Sequence, residues 1–310
     1  MPLAPDESAF ADNAPFKGQM PQFWGDWGCC SEVARLRAVL LHRPGAEIES
    51  IPDPASVLFI DRMDPQRARD QHDALAEVYR ANGVSVHYIE NTPLNKPNAL
   101  FARDLVGMTP EGAIVPRMGT SVRRGEERYA AEALARLGVP IVRTITGTAV
   151  FEGADLIWGS RDLAFVSIGK RTNPEGAQLV ATELRRMGVG EVVFVHVAYS
   201  EGHPDGCLSL ASHNVAVIYP VQVPYTVVEA LRRHGYRIVE VDSYHEVRHG
   251  SALNFVALEP GRVVMPAGNA QVRTALQRAG IERIEVEIDE LMKGGGAVHC
   301  MTACLKRDKG

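Results

Sequence analysis

The chain repeats one pattern five times, and that repeat limits its fold more than any other feature. A short apolar run ends at Pro or Gly in "RAVLLHRPG" (37–45), "GAIVPRMG" (112–119), "LAFVSIG" (163–169), "NVAVIYP" (214–220) and "GRVVMPAG" (261–268). Runs of this length bounded by turn residues read as strands. The segments 65–83, 124–138, 174–188, 224–235 and 270–280 carry apolar residues three and four apart, and most end at Gly, as amphipathic helices do. The segments "VSVHYI", "PIVRTI", "EVVFVHV", "RIVEV" and "IEVEI" follow them as further strands. Several units also have an apolar strand just ahead of the run, in "ALFARDLVGM", "ADLIWG", "CLSLAS" and "ALNFVAL". The unit is therefore ββαβ. One unit cannot bury both faces of its sheet, so five should pack around a shared axis, with helices outside and loops gathered at the axis. The expected fold is an α/β propeller of five-fold pseudo-symmetry, against the alternative of a two-layer α/β protein with coincidental spacing.

The 310 residues are read as a flexible extension, 1–23, and one domain, 24–310. Residues 1–23 mix Pro, Asp, Ala and Asn and lack a basic start followed by an apolar block, so they do not read as a signal peptide, and the cytoplasm is the expected compartment. The longest apolar runs fall short of the roughly 20 residues of a membrane helix. A net charge of −5 argues against a nucleic-acid partner and suits a small cationic substrate. Five cysteines, an odd number in a chain too large to need a disulfide framework, favour reduced thiols. Cys29, Cys30 and Cys207 read as structural.

Polar residues recur at the strand ends nearest the expected axis: "FARD" (101–104), "FEGAD" (151–155), "GHPDG" (202–206) and "GGGAVHC" (294–300). Each has a plain reading alone: Cys300 as a small buried hydrophobe, His203 on a surface loop, Glu152 and Asp155 as turn residues, Asp104 paired with Arg103. Together they make a constellation. A Cys becomes a nucleophile beside an imidazole or cation, and His shuttles protons, which suits Cys300 and His203. Several carboxylates in one pocket repel unless a cation joins them. A guanidinium fits best, because its planar N–H fork meets two or three carboxylates and its central carbon accepts a thiolate. No metal or organic cofactor is expected, since CxxC, HExxH, GxxxxGK[ST] and GxGxxG patterns are missing. Glycines 294–296 are expected to let the final strand approach the axis so that Cys300 reaches the ligand.

These motifs resemble the guanidino-group modifying enzymes of the pentein fold, from "SEVARLRAVLLHRPG" (31–45) to the terminal "GGGAVHCMT". The resemblance implies a five-fold ββαβ propeller, with Cys300 as nucleophile, His203 as general acid and base, and Glu152 holding the guanidinium and assisting proton transfer. It implies that Asp104 and Asp205 bind guanidinium nitrogens and that Phe101 lies against the guanidinium plane. In "VSIGKRTNPEGA" it points to Arg171 for a substrate carboxylate, and in "VPRMGTSVRRGEE" to Arg117 as a second such arginine. Glu152 and "KRTN" favour hydrolases over amidinotransferases, and 151–177 looks most like dimethylargininases, whereas Asp205 keeps the "HxD" pattern of deiminases and amidinotransferases. The implied reaction is hydrolysis of arginine or an Nω-substituted arginine to citrulline plus ammonia or an alkylamine, through a thiouronium on Cys300 and without a cofactor. The alternatives are amidino transfer to an acceptor amine, and a non-catalytic binding propeller that would not need the thiol–imidazole–carboxylate set. Assembly into a homo-oligomer is left open.

Overall fold

A computed structural model describes residues 14–309. It contains five three-stranded sheets. Their strands are β1 (Leu36–Leu41), β2 (Ser85–Tyr88), β3 (Gly107–Thr109), β4 (Gly112–Val115), β5 (Ile141–Thr144), β6 (Leu156–Ser160), β7 (Leu163–Ile168), β8 (Glu191–His196), β9 (Leu208–Ser212), β10 (Val215–Ile218), β11 (Arg237–Glu240), β12 (Val256–Glu259), β13 (Arg262–Pro266), β14 (Glu282–Val286) and β15 (Ala303–Arg307). In each sheet the middle strand pairs antiparallel with one neighbour and parallel with the other. Two strands joined by a tight turn must run antiparallel, whereas the parallel partner needs a crossover, here a helix. The five runs read from sequence are the middle strands β1, β4, β7, β10 and β13.

The crossover helices span Pro65–Ala81, Glu126–Leu137, Pro174–Arg186, Tyr225–Arg233 and Ala270–Arg278. Their ends follow capping chemistry. Asp64 Oδ1 accepts from Arg67 N at 2.9 Å and Asn173 Oδ1 from Gly176 N at 2.9 Å, each followed by a proline at the first helical position. Gly138 stops its helix with φ +75°, a conformation that costs a glycine little.

Four sheets are built from consecutive strands. The first is not: β1 takes its antiparallel partner from the far end of the chain, β15, with Val39 opposite Cys304 and Leu40 opposite Ala303. That strand completes the unit for which the sequence showed no leading strand.

Near the centre, buried charged groups hold the sheets to one another. Arg103 donates to Leu156 O at 2.7 Å and to Glu32 Oε1 at 2.9 Å, and Glu32 Oε1 also accepts from Trp158 N at 3.3 Å. Arg307 donates to Ala34 O at 2.6 Å and Ala257 O at 2.8 Å. Strand ends that converge on an axis leave carbonyls away from water, and a buried carbonyl without a donor is costly, so the two arginines fill that need.

The expected frayed segment 1–23 differs in its second half. Phe16–Phe23 is helical with Met20 buried, an apolar anchor that composition did not reveal, and residues 1–13 lie outside the described residues. Leu305 is fully buried in β15. Leu305→Ala is expected to lower unfolding free energy by about 2–5 kcal/mol, whereas Val221→Ala, at an exposed position, should change it by about 0.5 kcal/mol or less, both read from urea melts.

Candidate active site

The site is assembled from equivalent places in the five units, the short turns that lead into the first strand of each sheet. Asp104 lies in Ala102–Leu105 before β3; Glu152 stands just ahead of Gly153–Asp155, which Asp155 ends, before β6; and His203 stands just ahead of Pro204–Gly206, which contains Asp205, before β9. Cys300 lies in Val298–Met301 before β15. It is on a helical turn just ahead of the final strand, which begins at Ala303. The fifth turn, before β12, ends on Asn254, whose backbone N–H donates to Ser251 O at 2.9 Å.

Four of these turns, all but the one before β6, line one cavity of about 290 Å³. Six of the residues singled out by sequence line it: Phe101, Asp104, Arg171, His203, Asp205 and Cys300. Glu152 is fully buried directly behind His203, with Oε2 2.8 Å from His203 Nε2. Its other oxygen accepts from Gly119 N at 2.9 Å and from Arg171 Nη1 at 3.5 Å. Arg117 is not brought in. Its backbone bridges Phe151, and its guanidinium donates to Ala149 O at 3.3 Å, outside the cavity wall.

The arginine that does enter from that segment is Arg123, which sequence reasoning passed over. It is buried, donates to Glu126 Oε2 at 2.8 Å, pairs with Asp104 Oδ2 and reaches Asn98 O at 3.1 Å. Its signal was local: an Arg and a Glu three apart in "RRGE", astride a helix start. Arg123 leaves the other Asp104 oxygen, Oδ1, buried and without a hydrogen-bond partner among the described residues, 3.7 Å from His203 Nδ1.

The glycine triplet follows from Phe101. A Cβ on Gly296 would stand 2.6 Å from the Phe101 ring and 3.0 Å from Cys300 Cβ, and one on Gly294 would stand 2.6 Å from Met63 Cε and 2.9 Å from the same ring. The backbone of 294–296 therefore lies flat against Phe101, which keeps the ring at the cavity wall and carries the chain on to Cys300.

Cys300 Sγ lies 3.3 Å from Asp205 Oδ2 and receives Asn254 Nδ2 at 3.0 Å. Asp205 Oδ2 also accepts from Asn254 Nδ2 and lies against His299 Nδ1, each at 2.9 Å. Behind His299, Nε2 lies 3.6 Å from Glu32 Oε2, which joins the site to the polar centre of the fold.

Charge states follow from these contacts. Burial works against a charge on His203, yet Asp104, Asp155 and Glu152 outweigh it and push the imidazole up to about 10. Burial would raise Glu152, but the His203 hydrogen bond and charge, with Arg123 and Arg171 beyond, hold it at about 2. Asp205 is held at about 2 against burial by His299 first and then His203. Burial, reinforced by Asp205 and Asp104, pushes the Cys300 thiol well above its usual value. Asp155, also buried, rises to about 7; its Oδ2 accepts from Thr172 Oγ1 at 2.6 Å, and that hydroxyl accepts from Glu152 N at 3.1 Å. The resting site is thus an imidazolium and a neutral thiol among carboxylates. Asp104, Glu152 and His203 bring ligand atoms within 4.8 Å of one another, a grouping that could also hold a metal ion.

The family model for eukaryotic N,N dimethylarginine dimethylhydrolase matches residues 61–307. The chain belongs to that family. It is 27% identical over 260 residues to the N(G),N(G)-dimethylarginine dimethylaminohydrolase of Pseudomonas aeruginosa, covering 82% of this chain and 94% of that protein. It is 26% identical over 285 residues to the uncharacterized protein YkgA of Bacillus subtilis (90% and 95% covered), and 22% identical to the arginine deiminase of Borrelia recurrentis (90% and 97%). A crystal structure of the Pseudomonas aeruginosa dimethylargininase with citrulline superposes with TM-score 0.72 at 23% identity, covering 87% of this chain and 99% of that one. An amidinotransferase from Microseira wollei gives TM-score 0.76 at 15% identity, covering 92% and 98%. At such identities these likenesses are of fold, and they agree with the five-fold pentein propeller.

The His203–Glu152 pair sets a pH dependence for this dimethylargininase-family protein. Glu152 binds its proton less readily folded (about 2) than unfolded (4.5), so its stabilisation is full above about pH 5 and is lost as pH falls toward 2. His203 holds its proton more tightly folded (about 10) than unfolded (6.5), so its share is full below that value and is lost as pH rises toward 10. The stability difference between the parent and Glu152→Gln should therefore be largest near pH 5–6 and shrink on both sides, read from urea midpoints between pH 3 and 9.

Proposed function

We propose that this member of a guanidino-hydrolase family cleaves a guanidino C–N bond of arginine or an Nω-substituted arginine through a thiouronium on Cys300. The observation that carries the reading is the single cavity that Asp104 and Asp205 line together with His203 and the Cys300 thiol. A guanidinium there offers N–H donors and a positive charge to the two carboxylates, and its carbon is an electrophile for sulfur. Phe101 forms the wall along the flat face of the cation. Arg171, whose side chain is 17% exposed at the cavity, takes the substrate carboxylate. Residues 24–310 act as one catalytic unit, working in the cytoplasm, where the thiol is kept reduced.

Arrival of the cation offsets the carboxylates that hold the proton on sulfur, and the thiol releases that proton to solvent past Asp205. The thiolate forms a C–S bond at the guanidinium carbon. His203, charged and anchored by Glu152, gives its proton to the departing nitrogen, the C–N bond breaks, and ammonia or an alkylamine leaves. The neutral His203 then takes a proton from water as its oxygen adds to the same carbon; as the C–S bond breaks, the remaining hydroxyl proton leaves to solvent and the C=O forms, freeing the ureido product and the thiolate.

Incubation with arginine, mono- and dimethylarginine, agmatine and guanidino acids, followed by mass analysis, tests the reaction. Citrulline from an arginine-type substrate is expected, and product that forms only when an acceptor amine is present would mean amidino transfer instead. Cys300→Ser should abolish turnover with an unchanged circular dichroism spectrum, whereas Cys304→Ser should behave as the parent; full activity of Cys300→Ser overturns the nucleophile assignment. Arg171→Ala should raise KM about tenfold or more with a smaller effect on kcat, as expected when a charge-assisted contact made equally in ground and transition states is lost.

A further inference from the structure

Four of the five turns at the axis supply the groups used above, and the fifth places Asn254 against the sulfur. The side-chain amide of Asn254 has four hydrogen-bonding positions, and all four are taken. Oδ1 accepts from the backbone N–H of His299 at 2.9 Å and of Cys300 at 3.1 Å, while Nδ2 donates to Asp205 Oδ2 at 2.9 Å and to Cys300 Sγ at 3.0 Å. The opposite orientation would set NH₂ against two backbone donors and the amide oxygen against a carboxylate, so the contacts themselves fix which end faces the sulfur. The two backbone groups that it caps belong to the single turn Val298–Met301, too short to hold its own N–H groups. A left-handed Ser251 (φ +46°) and the Asn254 N to Ser251 O hydrogen bond set the loop, and a second hydrogen bond from His299 N to Asn254 O (3.2 Å) joins the two turns.

We propose that Asn254 is the positioning residue of the nucleophile: it clamps the turn that carries Cys300 and supplies the N–H donor that stabilises the thiolate once the proton has left. This rests on Cys300 being the attacking atom. The backbone N–H of Ala297 also favours the thiolate, but the other side chains facing the sulfur do not share the task. Asp205 lies at 3.3 Å and accepts from the thiol, but beside a thiolate it is a like charge, and Asp104 acts in the same sense from the next turn. His203 and Arg171 are engaged with Glu152, and His299 is spent on Asp205. Asn254 is the side chain that donates to the sulfur in both protonation states, and its loss should remove thiolate more than it removes fold.

The test reads the sulfur without substrate. Iodoacetamide reacts with thiolate, displacing iodide to leave a thioether, and the extent at Cys300 is followed by mass analysis of its peptide between pH 6 and 10. In Asn254→Ala the rate should fall about 10- to 100-fold at a given pH, with the profile displaced to higher pH, because a hydrogen bond to a charged group is lost. Asn254→Asp, which sets a further carboxylate beside the sulfur, should slow it more. Asn254→Ser, which keeps a donor, should recover part of the loss. Melting temperatures accompany each variant, and if Asn254→Ala does not fold, Asn254→Asp takes its place in the comparison. An unchanged pH profile in a folded Asn254→Ala, or in a folded Asn254→Asp, overturns the proposal. The alkylation profile is independent of turnover, so retained activity of Cys300→Ser would sink the nucleophile assignment alone.

Discussion

The pairing of β15 with β1 is the contact on which the site depends. Four sheets of the propeller are each made from neighbouring stretches of chain, but the first is complete only when the last strand returns across the whole molecule to meet it. A hydrophobic strand without a partner leaves its backbone groups unpaired, so the ring closes by satisfying them. Because the turn before β15 carries Cys300, the act that closes the fold also delivers the thiol to residues contributed by the other units. Fold stability and site geometry share one set of hydrogen bonds.

Charge organises what the ring encloses. Glu152 and Asp205 remain ionised although buried, the first because His203 and two arginines surround it, the second because His299 and His203 do. Removing such charges from water is expensive, and only closely placed partners repay it. Asp104 is repaid by Arg123 and, at 3.7 Å, by His203, although its Oδ1 makes no hydrogen bond among the described residues. In the proposed reading a bound cation joins this network. In the proposed reaction the same cation supplies the electrophile and eases the proton from the sulfur, which couples recognition to activation.

The pseudo-symmetry explains why so different a group of side chains converges. Equivalent turns in the five units present Asp104, Glu152, His203 with Asp205, Asn254 and Cys300, each immediately ahead of a strand. A similar backbone frame repeated five times brings these six side chains together, and chemistry arises from varying them. One of these, Asn254, has no charge and no reactivity, and its part is to hold the atoms that do.

The periodicity of the sequence determined the strands, the helices and the count of five, because burial of middle strands and amphipathic helices leaves an apolar rhythm that needs no tertiary knowledge. Cys300, His203, Glu152, Asp104 and Asp205 were legible because reactive or charged residues at strand ends are conspicuous, whereas Phe101 and Arg171 were named only by the family resemblance. Tertiary structure alone decided the rest. Arg117 and Arg123 stand six residues apart in one loop, and only the path of that loop sends the second to Asp104 and the first to Ala149 O. Asn254 and His299 read as ordinary polar residues until the chain ends meet. The leading strand of the first unit was invisible for the same reason: its partner lies more than 260 residues away, and hydrogen bonding between strands leaves no trace in composition when both are equally apolar.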